Sequence, residues 1–207
     1  MKIFSVIIAL FLTPILFKID IYQTKSNDVV LLGYGVNQSV GQTFTAKHNN
    51  IYNIKILVNN SNLEYKQPVI FSIKNSPSDN TDLRQIKFSG ENIGSNYWLP
   101  IKFPPLPDSK DKMYYFELRV DPQSSKNFEV RRSKTDTYRY GNAYVNKQES
   151  NGDFSFKVYY KVNIIEYFSS IFSDLYAKIT EDRQFFMFYL SLVTLICIFL
   201  LYEVFLK

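Results

Sequence analysis

The sequence predicts a mainly β protein: an antiparallel β-sandwich of the jelly-roll type, followed by an amphipathic helix and a C-terminal transmembrane helix. Three observations predict it. Apolar and polar residues alternate with period two through the middle of the chain. After Asn163 the apolar residues recur every three to four positions, as on one face of a helix. Residues 185–202 then contain no charge.

The N-terminal segment has the features of a secretory signal. Lys2 is followed by the apolar residues 3–17, and no clean small-x-small cleavage site comes after them. Two alternatives stay open. The first is a cleaved signal peptide. The second is an uncleaved signal-anchor whose membrane-spanning segment extends through Ile19 and Ile21, while the Lys18 side chain reaches back to the headgroups. Either one exports the central domain, so we expect that domain on the extracytoplasmic side of the cell membrane.

The central strands are the clearest β signal. About ten short candidate segments are separated by clusters of Asn, Asp, Ser, Gly and Pro, with no helical pattern between them. One face of each strand is apolar, which is typical of a sheet with one side in water. The strongest alternation covers residues 52–58, 69–74, 114–120 and 154–160.

The C-terminal part predicts two helices. Asn163 and Glu166 have the spacing of a capping box. The apolar stripe that follows predicts a helix lying in the membrane interface, and packing on the sandwich or on a partner is the alternative. We expect a bend near residues 179–181 instead of one continuous helix. The uncharged run 185–202 extends roughly 27 Å as a helix, close to the ~30 Å hydrocarbon thickness of a bilayer.

These predictions divide the chain into four segments. The ranges are 1–22 for the signal-anchor or signal peptide, 23–162 for the extracytoplasmic sandwich, 163–180 for the juxtamembrane helix and 181–207 for the transmembrane helix.

Composition and charge exclude several classes. The chain has 24 Lys and Arg against 19 Asp and Glu, and the two signs are interspersed, so we expect no nucleic-acid partner. Cys197 is the one cysteine, which excludes a disulfide within the chain. His48 stands alone in a polar loop, without a nucleophile–base motif or a Cys/His cluster. The oxygen-rich loop 75–82 lacks EF-hand order and reads as a polar turn. The sequence therefore predicts no enzyme, no cofactor and no metal.

Outward-facing aromatic residues are the better functional signal. Exposed rings stack on the apolar face of a sugar or on a protein partner. The alternative is that Trp98 caps the sandwich edge, or that a helix covers the outer face. Two arginines are added for acidic sugars, so the candidate ligand-binding residues are Tyr97, Trp98, Tyr115, Tyr159, Arg131 and Arg132.

A set of short blocks resembles a known class of domains. The blocks are VGQTFTA at 40–46, NNIYNI at 49–54, WLPIKFPPLPDSKDK at 98–112, YYFE at 114–117, DTY at 136–138, GNAYVN at 141–146 and DFSFKVYY at 153–160. Across about residues 38–161 the chain resembles the extracytoplasmic galactose-binding-like jelly-roll domains of uncharacterised prokaryotic membrane proteins. Some of these are associated with polysaccharide or glycosyltransferase systems. The resemblance implies glycan binding and transfers no catalytic residues.

Two functions follow as expectations. The first is a membrane-anchored extracytoplasmic binding module for a glycan or surface polymer. The second is a non-catalytic structural or accessory subunit of a larger membrane complex. The expected partners are the lipid bilayer, a glycan or cell-surface polymer, and other membrane proteins.

Overall fold

The computed structural model describes residues 14–121 and 125–205 of the chain. Side-chain environments are described for residues 17–121, 125–163, 166–200 and 202. Residues Phe17–Lys161 form one compact unit, and the C-terminal helices belong to a second. Strands make up 47% of the residues, which confirms the mainly β prediction.

Thirteen strands are present among the described residues, and they form two packed antiparallel sheets. The first sheet contains β1 (Pro14–Gln23), β2 (Asp28–Gly33), β4 (Ile51–Asn59), β7 (Tyr97–Leu106), β9 (Asn127–Ser133), β12 (Asp153–Phe154) and β13 (Phe156–Asn163). The second contains β3 (Ser39–Thr45), β5 (Pro68–Lys74), β6 (Arg84–Ser89), β8 (Met113–Val120), β10 (Ala143–Val145) and β11 (Gln148–Ser150).

The core lies between the two sheets and is built around aromatic rings. Phe44 of β3 and Phe116 of β8 meet Phe156 of β13 from the opposite sheet, with ring centroids 5.4–6.2 Å apart. All three rings are almost fully buried, as is Phe103 of β7. Their burial agrees with the prediction that each strand has one apolar face. Each such ring buries a large apolar area, so the cluster contributes strongly to stability.

The sandwich begins earlier in the chain than the sequence predicts. β1 begins at Pro14, before the predicted boundary at residue 23, and pairs with β13. Ile21 is 3% exposed and belongs to the core. The predicted extension of a membrane helix through Ile19 and Ile21 is therefore wrong, because both residues lie in a strand. The apolar residues 1–13 lie outside the described part of the chain.

The two C-terminal helices are α1 (Ile164–Glu181) and α2 (Arg183–Phe205). The capping box is confirmed: Glu166 N donates to Asn163 Oδ1 at 2.8 Å, and Asn163 N donates back to Glu166 Oε2 at 3.5 Å.

Asp182 separates the helices, because its φ of −109° and ψ of 102° are not helical. Its Oδ1 accepts hydrogen bonds from Gln184 N at 2.9 Å and Phe185 N at 3.1 Å, which caps the start of α2. The helix is thus interrupted close to the predicted bend.

α2 is long and apolar enough to span a membrane. Residues Arg183–Leu200 have the length and the hydropathy that a membrane span requires, and none of them is buried. Lys178 near the end of α1 reaches over the ring of Phe185, with 5.8 Å between its Nζ and the ring centroid.

The aromatic core generates a stability prediction. Phe156→Ala removes a fully buried ring between the sheets, and we expect it to lower the free energy of unfolding by about 3–5 kcal/mol. Tyr34→Ala, at a ring that is 62% exposed, is the control and changes stability by less than about 0.5 kcal/mol. Urea unfolding of the full chain in detergent, followed by the fluorescence of the single tryptophan Trp98, measures both. Equal effects would contradict the core assignment.

Candidate functional site

The candidate site is the outward face of the first sheet, where β7, β4 and β13 lie side by side and β1 follows. Lys157 of β13 lies directly opposite Lys55 of β4, which lies opposite Pro100 of β7. Their chain neighbours Ile54, Ile56 and Val158 are fully buried in the core, so the two lysines face outward. We call this surface the lysine–aromatic face, and its members are Tyr22, Lys55, Trp98, Lys157 and Tyr159.

The two ammonium groups of this face rest on aromatic rings. Lys157 Nζ lies 4.1 Å from the ring centroid of Trp98 and 4.9 Å from that of Tyr22. Lys55 Nζ lies 4.9 Å from the ring centroid of Tyr159. A cation over a ring is worth about 0.5–1 kcal/mol at an exposed site. The rings therefore hold both ammonium groups near the sheet surface.

The opposition of Lys55 and Lys157 is electrostatically unfavourable. Like charges directly opposite each other in an antiparallel pair destabilise it. Among the described residues, no Asp or Glu forms an ion pair with either lysine. The two lysines are therefore cations without a carboxylate partner among the described residues.

Two of the six predicted binding residues belong to this face. Trp98 lies opposite Leu57, and Tyr159 lies opposite Asn53; both rings are half-buried. Tyr97 is exposed, but it pairs with the inward-facing Val58 and so does not share the face of Trp98.

The prediction that the ring of Tyr115 is exposed is wrong, because the ring is buried. It has the predicted outward parity on β8 of the second sheet, yet it is 1% exposed. Its ring packs edge-on against Tyr144 at 5.4 Å, and its Oη lies over Gly41. Burial raises the pKa of Tyr115, and the nearby charge of Glu117 raises it further. The alternation predicted correctly which side of the sheet Tyr115 faces, but the ring of Tyr144 on β10, two strands away, helps to bury it.

Arg131 and Arg132 lie on β9 of the same sheet, and each has a carboxylate partner. Arg132 Nε donates to Asp28 Oδ2 at 2.9 Å, and its Nη1 donates to Ser150 Oγ at 3.0 Å. Arg131 Nη2 lies 3.3 Å from Glu129 Oε2. Among the described residues, neither arginine lies over one of the predicted aromatic rings.

Three members of the face were missed in the sequence, namely Tyr22, Lys55 and Lys157. The alternation does place Lys55 and Lys157 outward, but only the register shows that they are opposite each other. Tyr22 was assigned to the N-terminal membrane segment, whereas it lies in β1 and is 63% exposed.

His48 is held by a buried carboxylate. Its Nδ1 lies 2.5 Å from Asp20 Oδ1, and its ring stacks on Tyr160 at 4.1 Å. Asp20 Oδ2 also accepts from Lys47 N at 3.0 Å. Ser109 Oγ donates to the backbone oxygen of His48, not to the ring. This arrangement ties β1 to the loop between β3 and β4, and the ring's contacts include no serine or cysteine nucleophile.

The loop at residues 75–82 is held by its own hydrogen bonds. Thr81 N donates to Asp79 Oδ1 at 3.0 Å, and Gln85 Nε2 donates to Asp82 Oδ2 at 2.7 Å. No group of three or more His, Cys, Asp or Glu able to hold a metal ion occurs in the part of the chain that the structure describes.

Two cavities lie elsewhere on the sandwich. One of about 330 Å³ is open to solvent, and one of about 120 Å³ is polar. The first is lined by Pro68, Ile70, Lys87, Arg119, Val120 and Asp121, and the second by Asp136, Gly141, Asn142, Glu149, Ser150, Asn151, Gly152 and Asp153. Neither contains a residue of the lysine–aromatic face.

No family model matches this chain, and no curated protein matches it either. Any function assigned to it therefore rests on the chemistry of its own side chains.

Replacing either of two buried tyrosines by phenylalanine is expected to change the free energy of unfolding, but in opposite directions. Tyr115 Oη is buried and has no hydrogen-bond partner among the described residues, so Tyr115→Phe removes an unsatisfied polar group. We expect a gain of about 1 kcal/mol in the free energy of unfolding. Tyr138 Oη accepts a hydrogen bond from Thr45 N at 3.2 Å, so Tyr138→Phe costs about 1 kcal/mol. Urea unfolding of both variants measures the difference, and a destabilised Tyr115→Phe would show that the hydroxyl is bonded.

Proposed function

We propose that this protein is a membrane-anchored extracytoplasmic binding module whose lysine–aromatic face binds an acidic glycan or a similar anionic surface polymer. The observation that carries the proposal is the directly opposed pair of Lys55 and Lys157, which has no carboxylate partner in the described residues. The binding role moves from the two predicted arginines to these lysines, because the arginines are already paired.

The geometry favours an acidic ligand over a neutral sugar. Lysine ammonium groups occupy one side of the Trp98, Tyr22 and Tyr159 rings, which reduces the ring surface left for sugar stacking. Each ammonium carries three N–H donors, and its contact with a ring leaves donors for a carboxylate, sulfate or phosphate. Hydrogen bonds between such charged groups are roughly twice as strong as neutral ones.

The shape of the face favours a polymer over a small molecule. Small-molecule sites are usually concave, and both described cavities lie elsewhere. Four neighbouring strands at about 4.8 Å spacing make a surface roughly 14 Å wide. Lys161, over the ring of Tyr52, adds a further cation on β13. Repeated weak contacts along a chain of anions suit such a surface.

The membrane anchor is supported by both C-terminal helices. α2 is long and apolar enough to span a bilayer. α1 exposes Phe168, Phe172 and Tyr176 at 48%, 66% and 71%. An exposed apolar stripe next to a spanning helix fits the headgroup region, where aromatic rings are favoured. The apolar N-terminal residues support export, and hence the extracytoplasmic location of the sandwich.

The second candidate function is an accessory subunit of a membrane complex. The same stripe on α1 favours it, because large exposed apolar residues also mark protein–protein interfaces. In that case α1 docks on another membrane protein instead of on lipid.

Glycan binding agrees with the resemblance to galactose-binding-like jelly rolls over residues 38–161. The jelly-roll connectivity remains part of the proposal, and the two packed antiparallel sheets are compatible with it.

Binding assays test the proposal directly. The full chain in nanodiscs of neutral lipid is exposed to polygalacturonate, hyaluronan and polyphosphate, with dextran as the neutral control. We expect anionic polymers alone to bind, with an affinity that falls as salt is added. Lys55→Gln and Lys157→Gln each weaken binding about tenfold, the loss of one charge-assisted hydrogen bond. Trp98→Ala weakens binding less, because it releases Lys157 without removing its charge.

Lys110→Gln is the matched control, because Lys110 is exposed in a loop outside the face. An equal loss of affinity in this variant would indicate a diffuse charge effect. No polymer binding above background would favour the accessory-subunit function.

Spin labels at Phe172 and Asp174 of α1 test the interfacial helix, in a Cys197→Ser background and in lipid bilayers. We expect the label at Phe172 to be shielded from an aqueous relaxation agent and the label at Asp174 to be accessible, because the two residues lie on different faces of the helix. Full accessibility of both labels would show that α1 does not lie in the membrane interface. Shielding of Phe172 only in the presence of a partner protein would support the accessory subunit.

A further inference from the structure

A lysine and two carboxylates meet on the outer face of the second sheet, almost completely out of water. Lys74 is the last residue of β5, Glu117 lies on the neighbouring strand β8, and Asp82 lies in the loop that joins β5 to β6. Their chain neighbours Ile73 and Phe116 belong to the core, so Lys74 and Glu117 point away from it. The side chains of Lys74 and Glu117 are nevertheless only 5% and 0% exposed, and that of Asp82 is 20% exposed.

The lysine nitrogen contacts both acids. Lys74 Nζ lies 3.7 Å from Asp82 Oδ1 and 3.7 Å from Glu117 Oε2. These distances exceed that of a hydrogen bond, and Asp82 Oδ1 and both oxygens of Glu117 have no hydrogen-bond partner among the described residues. Buried charges that are close together but poorly satisfied are costly for a folded protein. The three groups are therefore placed more like reactants than like a stabilising ion pair.

The two oxygens of Asp82 have different surroundings. Oδ1 faces the lysine, whereas Oδ2 accepts a hydrogen bond from Gln85 Nε2 at 2.7 Å and lies 3.8 Å from Arg119 Nη2. Donors and positive charge on one oxygen of a carboxyl group stabilise the negative charge that develops there when a nucleophile attacks the carbon. The carboxyl group of Asp82 is thus arranged for attack by Lys74 Nζ, with Oδ1 as the leaving oxygen.

Glu117 has the position of a general acid–base. Its Oε2 contacts the lysine nitrogen and lies 3.4 Å from Arg119 Nε. No hydrogen-bond donor holds either of its oxygens among the described residues, so Glu117 lacks the support that Gln85 gives to Asp82. Glu117 is therefore better suited to move protons than to be attacked itself.

We infer that the side chains of Lys74 and Asp82 become joined by an amide bond, with Glu117 as the general acid–base. The bond between Lys74 Nζ and Asp82 Cγ forms, the bond between Asp82 Cγ and Oδ1 breaks, and Oδ1 leaves as water. Two ammonium protons pass from Nζ to Oδ1 through Glu117, which ends as the carboxylate that it was at the start. An ammonium and a carboxylate thus give one amide and one water, and no oxidant, reductant or other reactant is needed.

Burial and proximity both favour this bond. Desolvation penalises an ammonium and a carboxylate, and the amide carries neither charge. Well-oriented groups within one molecule react as if their concentration were about 10⁵–10⁸ M. The bond closes the loop between β5 and β6, and closing a loop limits the freedom of the unfolded chain. It does not depend on the lysine–aromatic face, which lies on the other sheet.

Peptide mass spectrometry of the full chain, purified in detergent, tests the inference. Trypsin cuts after Lys and Arg, so an unlinked chain gives residues 67–74 and 75–84 as separate peptides. Trypsin does not cut after a lysine whose side chain is an amide. We therefore expect one peptide, residues 67–84, lighter than its amino-acid composition by one water molecule. Its fragmentation should give no ions from backbone breaks between residues 74 and 82, because the new bond closes a ring there.

Variants of the two acids test their roles. Asp82→Ala removes the carbon that is attacked and should abolish the bond. Glu117→Gln keeps the shape of the side chain but removes the proton carrier, so it should slow bond formation about 100-fold or more. Asp79→Asn, in the same loop, is the control and should react at the rate of the unchanged chain, because its side-chain oxygen still accepts from Thr81 N. A time course after cell-free synthesis into neutral-lipid nanodiscs measures these rates.

The ion pair of Lys126 and Glu64 is a control within the same molecule. Its atoms are 2.9 Å apart, closer than those of Lys74 and Asp82, but its side chains are 54% and 49% exposed. We expect no amide there, because water stabilises both charges. An amide at this pair as well would show that contact alone is sufficient and would contradict the role of burial.

The peptide map of the unchanged chain needs no variant, so the inference stays testable if Asp82→Ala or Glu117→Gln does not fold. Four results would overturn it. They are separate peptides 67–74 and 75–84 at full mass, a loss of water with cleavage after Lys74 intact, a bond from Lys74 to Glu117 in place of Asp82, and an unchanged rate in a folded Glu117→Gln variant. None of these results bears on polymer binding, so the two proposals fail separately.

Discussion

The packing of Phe44, Phe116 and Phe156 between the two sheets is the constraint on which the rest of the sandwich depends. No disulfide within the chain supplements it, since Cys197 is the one cysteine. Because successive side chains of a strand point to opposite faces, burial of these rings and of their apolar neighbours decides which residues of each strand face water. Lys55 and Lys157 face outward for this reason, because the residues that follow them in their strands, Ile56 and Val158, point into the core.

The lysine–aromatic face lowers the stability of the sheet in which it lies. Two lysines opposite each other repel, and the aromatic rings offset part of that repulsion. Functional sites often retain such unfavourable local arrangements, which the rest of the fold stabilises. The arginines of β9 show the contrasting case, because Arg132 is bonded to Asp28 and Arg131 to Glu129.

The C-terminal helices depend on local interactions instead of on the core. Asn163 begins α1 through a capping box, and Asp182 ends α1 and caps α2. Each interaction joins residues within one turn, so their sequence pattern is sufficient to predict them. The edge strand β1 is the opposite case. Its apolar residues suit a membrane segment as well as a strand, and only the presence of β13 beside it distinguishes the two.

By itself the sequence determined the strand-rich middle of the chain, the inward parity of its aromatic residues, the capping box at Asn163 and the apolar helix α2. These features depend on periodicity and on contacts between near neighbours. The tertiary structure decided the register that opposes Lys55 and Lys157, the burial of Tyr115 against Tyr144, the pairing of Arg131 and Arg132, and the inclusion of β1 in the sandwich. The physical reason is distance along the chain. Lys55 and Lys157 belong to strands that meet only after the sheet has closed, and no local pattern records which residues will then be neighbours.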